Sequence, residues 1–186
     1  VLSHARPLVA LNPPHRLDFA VLIFLKLFIM SNRRQPAHPV HSMFVNRWSP
    51  RSMTNETIPR DVLMTILEAG RWAPSAYNAQ PWRFIYALRD GQGWDGIFGA
   101  INEGNQSWVH RAGALVVIAS AKQAMFPGKT EPAPNAWHSF DTGSAWMSMA
   151  LQAVECGWVA HALAGFDRSE EHTPELQSRL HLVCRL

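Results

Sequence analysis

Ala114 to Ser120 reads ALVVIAS, seven residues without a charge, a glycine or a proline. A run so short and so apolar, with β-branched residues at its centre, predicts a fully buried strand. Arg83 to Leu88 is a second short run of β-formers, and Trp158 to Leu163 reads as a third. The segments between and before them follow a helical period. Val62, Leu63, Ile66, Leu67 and Ala69 recur at helical spacing after Thr57-Ile58-Pro59, where a proline suits the first turn. Pro74 stops that element. Asp141 to Cys156 predicts another helix, with Ala145, Met149, Leu151 and Val154 on or near one face and Gly157 as its cap. Helices and strands that alternate along one body indicate a layered domain of the α/β or α+β kind.

Charge and aromatic content divide the chain into three parts. Residues 1–42 carry five Lys/Arg and one acid, residues 43–167 carry nine and ten, and residues 168–186 carry three of each. The overall charge of +3 therefore belongs to the leader. The body has no basic excess that would direct it to nucleic acid. All eight Trp and both Tyr lie between Trp48 and Trp158, and such large planar side chains mark the folded body. Cys156 and Cys184 form no CxxC and no zinc spacing, which fits a reduced, cytoplasmic protein.

The ends are expected to stand apart from this body. Phe19 to Met30 (FAVLIFLKLFIM) is apolar but interrupted by Lys26, and it is shorter than the ~20 residues that span a bilayer. No small-residue cleavage site follows it. Residues 1–42 are expected to be upstream sequence that contributes nothing to the fold, with the natural start near Met43. From Arg168 the chain reads RSEEHTPELQSRLHLVCRL, which resembles a translated sequencing-library adapter. Five apolar residues in that tail offer too little burial to offset the ordering of nineteen backbone residues, so the tail is expected to pack poorly.

The motif content excludes several chemistries. His110, His138 and His161 lack ligand spacing and read as exposed or packed histidines. There is no G-x-S-x-G, no GxGxxG and no Walker pattern, so a nucleotide would have to be gripped by scattered side chains. Two segments could do that. Arg47-Trp48-Ser49-Pro50-Arg51 places two guanidinium groups around a hydroxyl, a compact anion site, although such a motif taken alone is more often a solvated basic turn. Ala73 to Trp82 (APSAYNAQPW) is a loop stiffened by two prolines, and it displays Ser75, Asn78 and Gln80. Rigid polar loops between regular elements usually recognise something.

The order R-x-S-x-R, an amphipathic helix ending in A-P-S, N-x-Q-P-W and a strand resembles the start of the FMN-dependent nitroreductase family. The likeness continues through Asn105, ALVVIAS, Asp141-Thr142-Gly143, Gly157 and Ala164-Gly165-Phe166-Asp167, and so covers residues 45–167. It implies an α+β layered fold with a central mixed or antiparallel sheet flanked by helices, incomplete after Asp167.

The resemblance also implies site residues. Arg47 and Ser49 would meet the FMN phosphate and ribityl chain, with Trp48 between them. Arg51 and Asn105 would lie at the pyrimidine edge of the flavin. Pro74, Ser75, Ala76 and Asn78 would approach from the second subunit of a homodimer, and Ala164 and Gly165 would offer backbone groups near N5. Ala76 stands where the family often has a second serine. The implied activity is electron transfer from NADH or NADPH through FMN to a nitroaromatic, a quinone or a similar small acceptor. A flavin-binding dimer domain without turnover, or a nonfunctional truncated product, are the alternatives. No side chain is required as an acid or base, and no metal is implied.

Overall fold

The computed structural model describes residues 34–163, Gly165 and, by backbone alone, residues 180–185. The described residues from His38 onward belong to one compact unit. The apolar run at Phe19 to Met30 lies outside the described residues, as do Ala164 and the first part of the tail. Among the described residues no helix is long and apolar enough to cross a membrane.

The helices are α1 (Ser42–Asn46), α2 (Arg60–Arg71), α3 (Trp94–Gly99), α4 (Glu103–Val109) and α5 (His138–Glu155). The strands are β1 (Trp82–Leu88), β2 (Ala114–Ser120), β3 (Gln123–Ala124), β4 (Ala133–Pro134) and β5 (Leu180–Arg185). β1, β2 and β5 form a three-stranded sheet with β2 in the middle, and both of its pairings are antiparallel. β3 and β4 form a separate two-stranded ribbon.

Every residue of β2 is buried. Successive side chains of a strand point to opposite faces, so each face needs its own cover. Ala114, Val116 and Ile118 pack with Leu63 and Ile66 of α2 and with Met149, Ala150 and Ala153 of α5. Leu115, Val117 and Ala119 pack with Trp94 of α3, Val109 of α4 and the connecting Ile101. The result is helix pair, sheet, helix pair, an α+β architecture of three layers.

Local chemistry sets the start of α2 and the end of α5 near where sequence reasoning placed them. Pro59 occupies the N-cap of α2 with φ −59°, and Leu63, Ile66 and Gly70 form its buried stripe. Gly70 also lets the helices approach closely, because a Cβ there would lie 2.7 Å from Met149 Cγ. α5 begins one turn earlier than expected, at His138. It ends on Gly157 with φ +76°. The Gly157 N–H reaches the Val154 carbonyl (3.0 Å) and the Trp158 N–H reaches Ala153 (2.8 Å). This pair of bonds is the Schellman closure that glycine permits.

Three expectations are corrected. Trp158 to Leu163 is not a strand of the sheet. Its first N–H closes α5, Ala160 enters the α2–α5 core layer, and Leu163 packs against the other layer. His161 takes part in an isolated β-bridge, but the segment adds no strand to the sheet.

The tail is not wholly unpacked: Ala119, Ile118 and Val117 pair with Leu180, His181 and Leu182. The expectation weighed side-chain burial alone. A central strand also carries a row of buried N–H and C=O groups on its second edge, and these need partners.

Composition also assigned His41 and Ser42 to the leader, yet Ser42 opens α1 and the His41 ring accepts the Met43 N–H at 3.3 Å. The folded unit begins a few residues before Met43.

One side chain ties the β1–α3 turn to two other segments. The Arg89 guanidinium donates to the carbonyls of Ala112 (2.6 Å), Arg111 (2.7 Å), Asn55 (2.8 Å) and Glu56 (2.9 Å). The Arg89 N–H adds a bond to Gly113. Only a planar fork of donors can serve so many acceptors at once. Arg89→Ala should lower stability by about 2–4 kcal/mol, seen as an earlier urea midpoint at unchanged slope. Arg89→Lys should recover less than half of the loss. A midpoint equal to that of the unaltered chain would show that these bonds add nothing net.

Candidate functional site

The first group of candidate residues gathers on α4. Asn102 caps this helix, its Oδ1 accepting the Asn105 N–H at 3.0 Å, and such caps fix a short helix that propensity alone would not hold. Asn105 and Trp108 are three residues apart and therefore share a face of α4.

The guanidinium of Arg51 lies over the Trp108 ring, 5.6 Å from its centroid. On Trp108 also rests the His161 ring, 4.6 Å away between centroids. The His161 Nδ1 is 2.9 Å from the Pro50 carbonyl. A carbonyl only accepts, so Nδ1 carries the proton and donates. Trp108 and His161 thus hold the segment before and after Pro50 against α4. Neither was recognised from sequence as part of the site. Trp108 could have been, since it stands one helical turn beyond Asn105.

Arg47 caps the end of α1, and its Nη1 donates to the Ser49 hydroxyl at 3.3 Å. Trp48, between them, is half exposed. Gly165 closes the group from the far side. Its carbonyl accepts the Asn102 N–H at 3.1 Å and faces Asn105 Nδ2 at 3.5 Å. A Cβ at Gly165 would collide with the Asn102 side chain and lie 2.7 Å from Asn105 Nδ2. The structure therefore brings Arg51, Asn105 and Gly165 to one helix face, with Arg47 and Ser49 leading into it.

The second group is the loop after α2. Tyr77, Asn78 and Gln80 have φ of 53°, 54° and 45°, a left-handed conformation that costs non-glycine residues about 1–2 kcal/mol each. Hydrogen bonds hold it. The Ser75 hydroxyl accepts the Gln80 N–H (3.0 Å), Asn78 Oδ1 accepts from Gln80 Nε2 (2.9 Å), and Asp141 Oδ2 accepts the Ala76 N–H (3.1 Å). Asp141 is only 3% exposed and sits in the first turn of α5, where the helix dipole favours a negative charge. Asp141 was read from sequence as a helix opener, and its long-range role was missed. Pro74 and Asn78 are exposed, while Ser75 and Ala76 are half-buried.

A cavity of about 450 Å³ lies between α2 and β1, lined among others by Met64, Glu68, Arg71 and Arg83. It includes none of the expected cofactor residues. Glu68 there is held below the usual carboxylate range by hydrogen bonds from Arg71 and then from the Trp72 indole. Among the described residues no cluster of His, Cys, Asp or Glu could hold a metal ion.

Residues 45–104 match the nitroreductase family model. Over 83% of its length the chain also superposes on 79% of a crystallised oxidoreductase containing FMN, at 39% identity and a TM-score of 0.76. The chain belongs to the nitroreductase family.

A nitroreductase candidate in complex with FMN from Desulfovibrio desulfuricans is similar at 25% identity, with a TM-score of 0.62 over 81% of this chain and 85% of that one. Among curated proteins, a candidate NADH dehydrogenase/NAD(P)H nitroreductase from Streptomyces coelicolor is 30% identical over 86 residues. That match takes in 46% of this chain and 42% of the relative, so the chain spans less than half of that relative's length. The three-layer α+β fold is that of the nitroreductase structures, as the resemblance implied.

Within this nitroreductase fold, Asp141 is the tether that keeps the strained loop in place. Asp141→Ala should cost about 1.5–3 kcal/mol, because it leaves the Ala76 N–H without its charged partner. It should also speed proteolytic cleavage within residues 74–80. Asp141→Asn keeps an acceptor oxygen and should lose less. Equal cleavage rates in Asp141→Ala and the unaltered chain would remove the tether from the account.

Proposed function

We propose that the chain is an FMN-dependent oxidoreductase that works as a homodimer in the cytoplasm. It would pass electrons from NADH or NADPH to a nitroaromatic, a quinone or a similar small acceptor. The observation that carries this reading is the convergence of Arg51, Asn105 and Gly165 on one face of α4, with the Arg47–Ser49 pair beside it.

The donor set suits the cofactor. Two guanidinium groups and a hydroxyl match the phosphate and ribityl oxygens. The Asn105 carboxamide can both donate to and accept from a polar ring edge. A side chain at position 165 would collide with Asn102 and Asn105, so glycine keeps its backbone against α4. Arg47 and Ser49 would hold the phosphate end, and Arg51 with Asn105 would hold the pyrimidine edge. Arg51 would stabilise negative charge there by its own fixed charge, without a proton transfer. FMN, when bound, supplies the acceptance of hydride from a nicotinamide and the return of electrons to the second substrate.

The dimer is supported by α5. Its buried side presents Ala145, Met149, Ala150 and Ala153, yet the solvent side also carries Phe140 (77% exposed) and Met147 (38% exposed). No charged residue separates Asp141 from Glu155. A helix apolar on both sides belongs in an interior, and a second copy would supply it. Pro74, Ser75, Ala76 and Asn78 would then reach the flavin of the partner.

FMN titration tests this reading. Arg47→Ala and Arg51→Ala should each weaken affinity by roughly ten- to hundredfold, the worth of about 1.5–3 kcal/mol per charged hydrogen bond. The loaded chain should sediment as a dimer, and NADH or NADPH should bleach its yellow colour. Unchanged FMN affinity in both variants would sink the assignment. Bound flavin that neither nicotinamide bleaches would leave a binding domain without turnover.

A further inference from the structure

Arg51 is exposed and carries a long, flexible side chain, yet its guanidinium has a defined place. No carboxylate sets that place, since among the described residues none pairs with Arg51. What the guanidinium meets instead is the Trp108 ring, 5.6 Å from its centroid. An aromatic face of this kind holds a cation without cancelling its charge.

His161 acts on both ends of the same arginine. Its Nδ1–H donates to the Pro50 carbonyl at 2.9 Å. That carbonyl and the Arg51 N–H belong to one planar peptide unit, so the bond fixes the plane from which Arg51 starts. The His161 ring also lies 4.6 Å from the Trp108 ring, tilted by 48°, and limits where the indole can turn. Trp108 packs in addition against the core layer that holds Val109. Pro50 is buried, and Trp108 and His161 are half-buried. The platform is therefore anchored, while the guanidinium it carries stays at the surface.

We infer that Trp108 and His161 are positioning residues that hold the Arg51 charge at the pyrimidine edge of the flavin and thereby set the reduction potential of bound FMN. The inference rests on the proposed function, which gives that edge to Arg51 and Asn105. A cation there favours the reduced flavin, which carries negative charge, over the neutral oxidised ring, and its effect falls with distance. An arginine left to sample its rotamers would spend part of its time away from that edge. The platform concentrates it in one place. Trp108 and Asn105 share a face of α4, so both groups at the edge are set from the same helix.

The full chain saturated with FMN is compared with Trp108→Leu, Trp108→Phe and His161→Phe, and with Arg51→Met alone and combined with Trp108→Leu. Phenylalanine at 108 keeps a ring face, and phenylalanine at 161 keeps the ring but loses the Nδ1 donor. Equilibration with redox dyes gives the midpoint potential of the flavin. Fluorescence titration shows that each variant is saturated, and urea unfolding reports stability.

Trp108→Leu should lower the ratio of reduced to oxidised flavin at a set potential by about three- to tenfold, which is roughly 15–30 mV for a two-electron couple. Trp108→Phe should recover at least half of that shift, and His161→Phe should show a smaller fall than Trp108→Leu. Arg51→Met should lower the potential at least as far as Trp108→Leu does, and adding Trp108→Leu to it should change nothing further. A purely structural role would move the urea midpoint and leave the potential in place. That result overturns the inference and leaves the proposed function intact. So does a fall as large in the Arg51→Met background as in the unaltered one, because the ring would then act without Arg51. Where Trp108→Leu does not fold, His161→Phe takes its place in the same comparison, alone and with Arg51→Met. If the unaltered chain does not hold FMN, the proposed function and this inference fall together.

Discussion

The burial of β2 on both faces is the constraint from which the rest of the molecule follows. Seven consecutive buried residues cannot be covered by one layer, because alternate side chains leave the strand in opposite directions. α2 and α5 answer one face, and the shorter α3 and α4 answer the other. The two edges make a further demand. A buried strand must pair its N–H and C=O groups on both sides, and β1 and β5 do so.

That same layering positions the candidate site. α4 belongs to the core through Val109, and the helix that buries Val109 on the sheet turns Asn105 and Trp108 to its flank. Trp108 then serves two neighbours at once, the Arg51 guanidinium on one side and the His161 ring on another. The His161 bond to Pro50 closes the circuit, since Pro50 is the residue before Arg51. A cation held over an aromatic face is steered without being neutralised by a carboxylate. Arg51 therefore keeps its charge in this contact.

Much of this fold was legible in the residues, and the parts that were not share a physical cause. α2, β1, β2 and α5 carry strong local signals: long apolar periods, proline and glycine punctuation, and a run too apolar for a surface strand. α3 and α4 have six and seven residues, too few for a period to rise above composition. Trp158 to Leu163 misled because a connection that crosses the core is as apolar as a strand. β5 was overlooked because pairing is a backbone property, to which side-chain patterns are nearly blind.

The site divides the same way. Arg47, Ser49, Arg51, Asn105 and the 74–78 loop were readable as an ordered set of motifs. The roles of Asp141, Trp108 and His161 depend on contacts across 65, 57 and 111 residues of chain, to Ala76, Arg51 and Pro50. No local pattern encodes such partners.

The hydrogen-bond inventory of the loop narrows what it can still recognise. Ser75 Oγ accepts the Gln80 N–H, which leaves its own O–H to donate. Asn78 Oδ1 accepts from the Gln80 carboxamide, which leaves the Asn78 amide as a donor pair. The Ala76 N–H is already consumed by Asp141. The loop thus keeps the Ser75 O–H and the Asn78 amide N–H pair as donors. Donors of this kind suit a partner rich in carbonyl and ring-nitrogen lone pairs. They are a poor match for a cation. The strain at Tyr77, Asn78 and Gln80 is what makes this arrangement possible.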